Sequence, residues 1–162
     1  MSVVRLKAGH VLPVWAGHPW VYAQAVARVE GGATAGSEVD VIDPQGQFLG
    51  RGLYSPGSAI AVRLFARRAG VALDAALITA RLAAADERRR ALGLNGPDTT
   101  GYRLVHADGD DLPGLIVDRF NRAVVLQLGT IGMKLREATI LNALQRLPGI
   151  ETVVDRTSAA MA

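Results

Sequence analysis

In the first 68 residues, short β-type runs alternate with glycine-containing turns, and this pattern limits the possible fold more than any other feature of the sequence. The runs read VVRLK, WVYAQAVARV, SEVDVID, QFLGRGLY and AIAVRLF, and the turns between them include EGGATAG, DPQG and SPGS. Five short strands with almost no helix between them predict a small antiparallel β-barrel. Within this region the sequence favours one short helical turn, at Gly9 to Trp15.

From residue 69 onward, helical segments alternate with strands. Asp74 is predicted to cap a long helix that ends at Gly93. The runs YRLVH, LIVDRF and AVVLQLG follow and predict a three-stranded meander. A second helix is expected from about Met133 to Leu147, before a final strand IETVVD. The sequence therefore predicts an α+β chain with a barrel domain at residues 1–68 and an α+β domain at residues 69–162.

The long helix is predicted to be amphipathic and to pack against other elements. Arg89 interrupts its apolar face, which is otherwise formed by Ile78, Leu82, Ala85 and Leu92. The run ERRR at Glu87 to Arg90 favours pairs on the helix surface, because Asp86 and Arg90 are four residues apart. A face directed at RNA, or at another domain, is the alternative interpretation of these arginines.

The absence of cysteine excludes several classes of function. A disulfide framework, a zinc-thiolate site and a thiolate nucleophile all need cysteine. No apolar run approaches the roughly 20 residues that cross a bilayer, and the start MSVVRLKAGH lacks the apolar region of a secretory signal. We expect a soluble, cytoplasmic protein without a membrane partner.

The basic residues are nearly all arginine, since only Lys7 and Lys134 are lysines. Together with a pI of about 9.8, this preference favours a polyanionic partner such as nucleic acid. A guanidinium group matches phosphate oxygens and stacks on bases. A GC-rich genome that encodes arginine and alanine frequently is the alternative explanation.

The segment ADGDDLPGLIVDRF places Asp108, Asp110 and Asp111 within four residues. A calcium loop needs alternating oxygen ligands over about 12 residues, and adjacent acids followed by Pro113 match that spacing poorly. Between two strand ends, all three side chains are expected to stay hydrated, which argues against a catalytic carboxyl pair. The sequence favours a structural corner, with a metal site and a docking site as alternatives.

Candidate RNA contacts lie at the strand ends of the predicted barrel and at its exit, where we expect several guanidinium groups to converge on phosphates. These candidates are Lys7, His18, Arg51, Arg63, Arg67 and Arg68. A solvated charged surface is the alternative for the cations, and a turn or capping role is the alternative for His18. Trp20 and Tyr22 are expected in the barrel core rather than in a base-stacking role, because the chain has few aromatic residues.

Four blocks of sequence occur in an order that resembles one bacterial enzyme family. YRLVHADGDDLPGLIVDRF is similar to the pattern R-L-V-x-x-E-x-D-x-L-P-G-L-x-V-D-R of the large-subunit ribosomal RNA cytosine-C5 methyltransferase I family. GHPWVY, DPQGQFLGRGLYSPGSAIAVRLF and LGTIGM resemble further blocks of the same family. The resemblance covers nearly the whole chain.

This resemblance implies an N-terminal PUA domain and a central α+β domain. Family members continue into a Rossmann-like domain that binds S-adenosylmethionine, and here Asp155-Arg156-Thr157-Ser158 resembles the beginning of the next family block. We therefore expect the catalytic domain to lie outside this sequence. The implied partners are ribosomal RNA and that C-terminal domain, and a homodimer is an open alternative.

Methylation of cytosine C5 usually needs a cysteine thiolate that adds to C6, together with a binding site for the methyl donor. The segment has neither a cysteine nor a glycine-rich cofactor motif. We expect it to bind and position RNA without catalytic, cofactor or metal residues of its own. A stand-alone PUA-type RNA-binding module, without a catalytic partner domain, is the alternative.

Overall fold

The computed structural model describes residues 1–158, and the chain divides into two compact units, Met1–Ala72 and Leu73–Ala162. Residues 159–162, which end the predicted second domain, lie outside the described residues. The predicted domain boundary after residue 68 falls within the first unit, and the position of the domain boundary stays a prediction.

The first unit is built on a six-stranded sheet in the order β2-β6-β5-β4-β1-β3. Its one α-helix among the described residues, α1, covers Leu12–Trp15, within the predicted helical turn. The strands are β1 (Ser2–Leu6), β2 (Trp20–Tyr22), β3 (Val26–Glu30), β4 (Glu38–Ile42), β5 (Phe48–Tyr54) and β6 (Ile60–Ala66).

The connection between β2 and β3 requires this sheet to curl. These strands lie at opposite edges of six strands, and a flat sheet would separate them by about 24 Å because neighbouring strands are about 4.8 Å apart. The short 3₁₀ turn Ala23–Ala25 joins them, and the four Cα steps from Tyr22 to Val26 reach at most about 14 Å. The curled sheet confirms the predicted barrel-like α+β fold.

Two details differ from the predicted antiparallel five-stranded barrel. The run WVYAQAVARV forms two strands, because the turn Ala23–Ala25 interrupts it. In addition, β1 pairs in parallel with β4, with Val4 opposite Val41, while its other neighbour β3 is antiparallel. The parallel pairing joins two strands that are distant in sequence. The turns in the sequence, which indicate only how consecutive strands are connected, therefore did not predict it.

The interior of the first unit contains alternate residues of these strands, as expected for side chains that point to one face. Val21 is 1% exposed, whereas both of its neighbours are more exposed. The buried cluster includes Val4, Leu6, Val14, Val21, Val39, Val41, Val62 and Leu64.

The second unit combines helices with a four-stranded sheet in the order β10-β9-β8-β7. The predicted meander is confirmed, since β7 pairs antiparallel with β8, and β8 pairs antiparallel with β9. The last strand, β10, adds in parallel to β9. The elements are α2 (Ala75–Ala91), β7 (Gly101–His106), β8 (Leu115–Phe120), β9 (Ala123–Leu128), α3 (Ile131–Lys134), α4 (Glu137–Gln145) and β10 (Thr152–Asp155).

Helix α2 begins and ends as the sequence predicts. The Asp74 side chain accepts a hydrogen bond from the Leu77 N–H at 2.9 Å, and Gly93 follows the helix with a φ of +78°. Its predicted apolar face is wrong at one end, because Leu92 is 76% exposed. Arg89 is the side chain that turns inward there, since only 14% of it is exposed.

The predicted second helix is two helices, α3 and α4, separated at Leu135 and Arg136. Thr130 begins α3 by accepting a hydrogen bond from the Met133 N–H. The Arg136 side chain donates to the carbonyl oxygens of Leu73 and Gly132 at 3.0 and 2.8 Å, which fixes the backbone at the interruption. Across the described residues, no helix is both long and apolar enough to span a membrane.

Candidate nucleic-acid interface

The acidic corner is a 3₁₀ turn, Ala107–Asp110, that links β7 to β8. Asp110 accepts hydrogen bonds from the Arg89 guanidinium at 2.5 and 2.7 Å, from Arg88 at 2.6 Å, and from the His106 N–H at 2.7 Å. Its side chain is 2% exposed, so the expectation that all three acids stay hydrated is wrong for this residue. The corner places the carboxylate where it joins the turn to α2.

The environment of Asp110 favours the ionised form. Burial alone raises the pKa of its carboxyl group, but the hydrogen bonds from Arg89, Arg88 and the His106 backbone outweigh burial and lower the pKa to about 2. A carboxyl group with so low a pKa is a poor general acid near neutral pH. In residues 1–158, no group of three acidic or histidine side chains is arranged to hold a metal ion.

The arginines of the ERRR run have different partners. Arg90 pairs with Asp86 at 2.7 Å, as the four-residue spacing predicts, but Asp86 is buried, so this is not a pair confined to the helix surface. Arg88 and Arg89 instead bind Asp110, which is 21 residues away from Arg89. Arg89 therefore has a structural role within the second unit.

An aromatic cluster lies on the surface of the first unit, around the loop between α1 and β2. The ring centroids of His18 and Trp20 are 5.6 Å apart, and those of Trp20 and Tyr22 are 6.3 Å apart, both with edge-on geometry. Tyr22 is 39% exposed and Trp20 is partly exposed, so the prediction that they lie in the core is wrong. Val21 takes the inward position between them, because successive strand residues point to opposite faces.

Trp15 is a further exposed aromatic residue beside this loop, and the sequence analysis did not identify it. It ends α1 and is 75% exposed. Leu12, one turn earlier, is 68% exposed. The signal for the exposure of Trp15 and Leu12 is their position in α1. This helix has only four residues, and Val14 is the one that faces the core.

Three of the predicted RNA contacts surround this loop. Arg67, which directly follows β6, donates to the carbonyl oxygens of Val14 in α1 at 2.7 Å and of His18 in the loop at 2.8 Å, so it holds both to the end of β6. Burial lowers the pKa of Arg67. Arg63 lies opposite Trp20 in the β2–β6 pair, which places both side chains on one face. The His18 Nδ1 accepts from the Trp20 N–H at 3.2 Å, in agreement with a capping role.

The other three predicted contacts have different settings. Arg51 pairs with Asp40 at 2.8 Å and Glu38 at 3.2 Å, and only 13% of its side chain is exposed. Its charge is thus balanced within the unit. Lys7 and Arg68 are exposed, directly after β1 and near the end of β6.

The comparisons with known proteins agree with this arrangement. Residues 4–67 match the model of a PUA-like domain. The chain is 40% identical over 145 residues to the ribosomal RNA large subunit methyltransferase I of Escherichia coli O1:K1 / APEC, an alignment that covers 89% of this chain. The protein of the same name from Escherichia coli strain SMS-3-5 / SECEC is 39% identical over 148 residues.

Over this segment the chain is homologous to ribosomal RNA large subunit methyltransferase I. It spans 36% of the length of these methyltransferase I relatives. The fold agrees with that of a Streptococcus mutans protein classed as a SAM-dependent methyltransferase, with a TM-score of 0.84, 16% identity, and coverage of 97% of this chain and 41% of that one. A second structure, described as a methyltransferase in complex with SAH, has the same TM-score of 0.84 at 15% identity.

Proposed function

We propose that this chain is the RNA-binding and positioning portion of an S-adenosylmethionine-dependent 23S ribosomal RNA cytosine-C5 methyltransferase. The PUA-like match and the methyltransferase I relatives support this assignment. The parent protein would act in ribosomal RNA processing in the cytoplasm. Its C-terminal domain would bind S-adenosylmethionine and transfer the methyl group, while the segment described above would have no methyltransferase activity alone.

The exposed cluster of His18, Trp20 and Tyr22 is the observation that carries the proposal. Unpaired bases stack on aromatic side chains, and guanidinium groups bind the adjoining phosphates. Arg63 supplies such a cation on the same face as Trp20. Trp15 extends the aromatic surface at the end of α1.

Filter binding of ribosomal RNA fragments to the 162-residue chain, across a salt series, tests the proposal. The Trp20→Ala variant removes a stacking surface and should weaken RNA binding by about 1–3 kcal/mol, or roughly 5- to 150-fold. Phe120→Ala is the matched control, because Phe120 is also an exposed aromatic residue, 56% exposed, but lies in the second unit. Equal affinity for heparin and for RNA, unchanged by Trp20→Ala, would contradict the proposal.

The assembly of the parent protein follows from the same assignment. The partners would be ribosomal RNA and the C-terminal methyltransferase domain, and a homodimer is compatible with it. Sedimentation of the full-length parent with and without ribosomal RNA would measure the stoichiometry.

A further inference from the structure

In the second unit, two arginines share a single buried carboxylate. Asp86 of α2 is 4% exposed. Its Oδ1 lies 3.3 Å from an Arg119 nitrogen, and its Oδ2 lies 2.7 Å from an Arg90 nitrogen. Two positive charges therefore face one negative charge, and the cluster has an excess positive charge.

The positive charge of Arg119 is unusually buried, because only 3% of its side chain is exposed. Its Nε donates to the Asn121 carbonyl at 2.9 Å and one terminal nitrogen donates to the Pro148 carbonyl at 3.1 Å. These two bonds and the contact with Asp86 use three of the five N–H donors of the guanidinium group, and the Tyr102 hydroxyl also interacts with it. Burial of a charge is costly unless an opposite charge accompanies it.

A surface cavity of about 510 Å³ lies beside these two guanidinium groups. Three of its lining residues are glycines, Gly93, Gly96 and Gly149, and the others are Arg90, Leu94, Asn95, Arg119 and Pro148. A Cβ atom at Gly149 would stand 3.1 Å from a terminal nitrogen of Arg119, and Gly149 has a φ of +74°. Glycine at this position therefore leaves room for the Arg119 guanidinium group, which lines the cavity although only 3% of the Arg119 side chain is exposed.

The charges around the cavity indicate which kind of ligand it binds. The cavity lies at the C-terminal end of α2, where the helix dipole is negative, and Arg88, Arg89 and Arg90 in the last turn offset it. Arg88 and Arg89 bind Asp110, whereas Arg90 reaches the cavity. By contrast, the cavity lined by Ala23, Tyr54 and Ser55–Ala59 in the first unit has no charged lining residue.

We infer that the cavity beside Arg90 and Arg119 binds a phosphate group. The planar guanidinium fork matches phosphate oxygens, and the three glycines of the lining allow the ligand to approach the backbone closely. The phosphate group belongs either to the RNA backbone or to free phosphate, and the two sources share this chemistry. The site lies in the second unit and does not depend on the aromatic cluster of the first.

Titration of the isotope-labelled 162-residue chain with inorganic phosphate, followed by amide NMR, tests the site. The Gly93, Gly96 and Gly149 amide signals should shift with saturation. Arg90→Gln should weaken phosphate binding about tenfold, whereas Arg90→Lys, which keeps the charge and the pair with Asp86, should weaken it less. Arg122→Gln is the matched control, because Arg122 is an exposed arginine of the same unit that pairs with Glu151.

RNA filter binding with the same variants separates the two sources. A loss of RNA affinity in Arg90→Gln but not in Arg122→Gln assigns the site to the RNA backbone, and a loss confined to inorganic phosphate assigns it to free phosphate. Equal losses in Arg90→Gln and Arg122→Gln, or no shift of the three glycine signals, would overturn the inference. Trp20→Ala should leave the phosphate titration unchanged, so failure of the proposed RNA-binding function is distinguishable.

Discussion

Arg89 near the end of α2 and Asp110 in the turn before β8 form a two-point ion pair, with both carboxylate oxygens bound at 2.5 and 2.7 Å. The Arg89 side chain also donates to the Arg103 carbonyl of β7 at 3.1 Å. One guanidinium group thus connects the helix, the corner and the first strand of the meander. This contact gives the acidic segment a structural role, and within residues 1–158 no group of three acidic or histidine side chains is arranged to hold a metal ion.

Asp110→Asn should destabilise the second unit by about 3–5 kcal/mol, because removal of one partner leaves a buried charge without its counter-charge. Urea unfolding followed by circular dichroism measures this change. Asp111→Asn is the matched control, since Asp111 is exposed and has a left-handed backbone with a φ of +57°, which asparagine tolerates. A difference below about 1 kcal/mol between the two variants would contradict the structural role of Asp110.

The same carboxylate predicts how stability depends on pH. The folded pKa of Asp110, about 2, lies below the ordinary value of 3.8, so the unfolded chain binds a proton more readily. Its contribution to stability is therefore present above pH 3.8 and is lost as the pH falls towards about 2. Unfolding free energies measured between these pH values should fall less steeply in Asp110→Asn than in the unsubstituted chain. Identical slopes would show that the pair does not set the acid response.

Arg67→Gln should loosen the loop that carries the aromatic cluster, because the variant lacks the guanidinium group that binds the Val14 and His18 carbonyls. Trp15 and Trp20 are the two tryptophans of the sequence, and they lie on either side of this loop. Acrylamide quenching of tryptophan fluorescence therefore reports on it directly, and should increase in Arg67→Gln. Arg68→Gln, at an exposed neighbour, should behave as the unsubstituted chain. Equal quenching in all three proteins would rule out the clamping role.

Gly114→Ala should be more destabilising than Gly93→Ala, although both glycines have positive φ angles, of +90° and +78°. A Cβ atom at Gly114 would lie 2.5 Å from the Thr130 Oγ1, whereas a Cβ atom at Gly93 meets nothing within 4 Å. Gly93→Ala should cost about 1 kcal/mol of backbone strain. Gly114→Ala should cost about 2 kcal/mol more through overpacking. Thermal unfolding compares the two, and equal melting temperatures would contradict the close approach of Gly114 to Thr130.

Local signals in the sequence predicted the secondary structure well. The cap at Asp74, the stop at Gly93 and the turns between the strands each depend on residues a few positions apart. The second helix was predicted without its interruption, because that interruption involves Arg136 and the Leu73 carbonyl, 63 residues apart. Strand alternation left open which face of β2 is inside, and the small number of aromatic residues then led to the expectation that Trp20 lies in the core.

Glycine-bounded β-type runs, helix caps and the ordered family motifs were sufficient to specify a barrel-like unit followed by an α+β unit, because turns and caps are short-range interactions. The tertiary structure decided which charges and rings remain available for a ligand. Asp86 meets Arg119 across 33 residues of sequence, and Val21 rather than Trp20 occupies the core. Burial and ion pairing depend on elements that are distant along the chain, and only the packed fold brings them together.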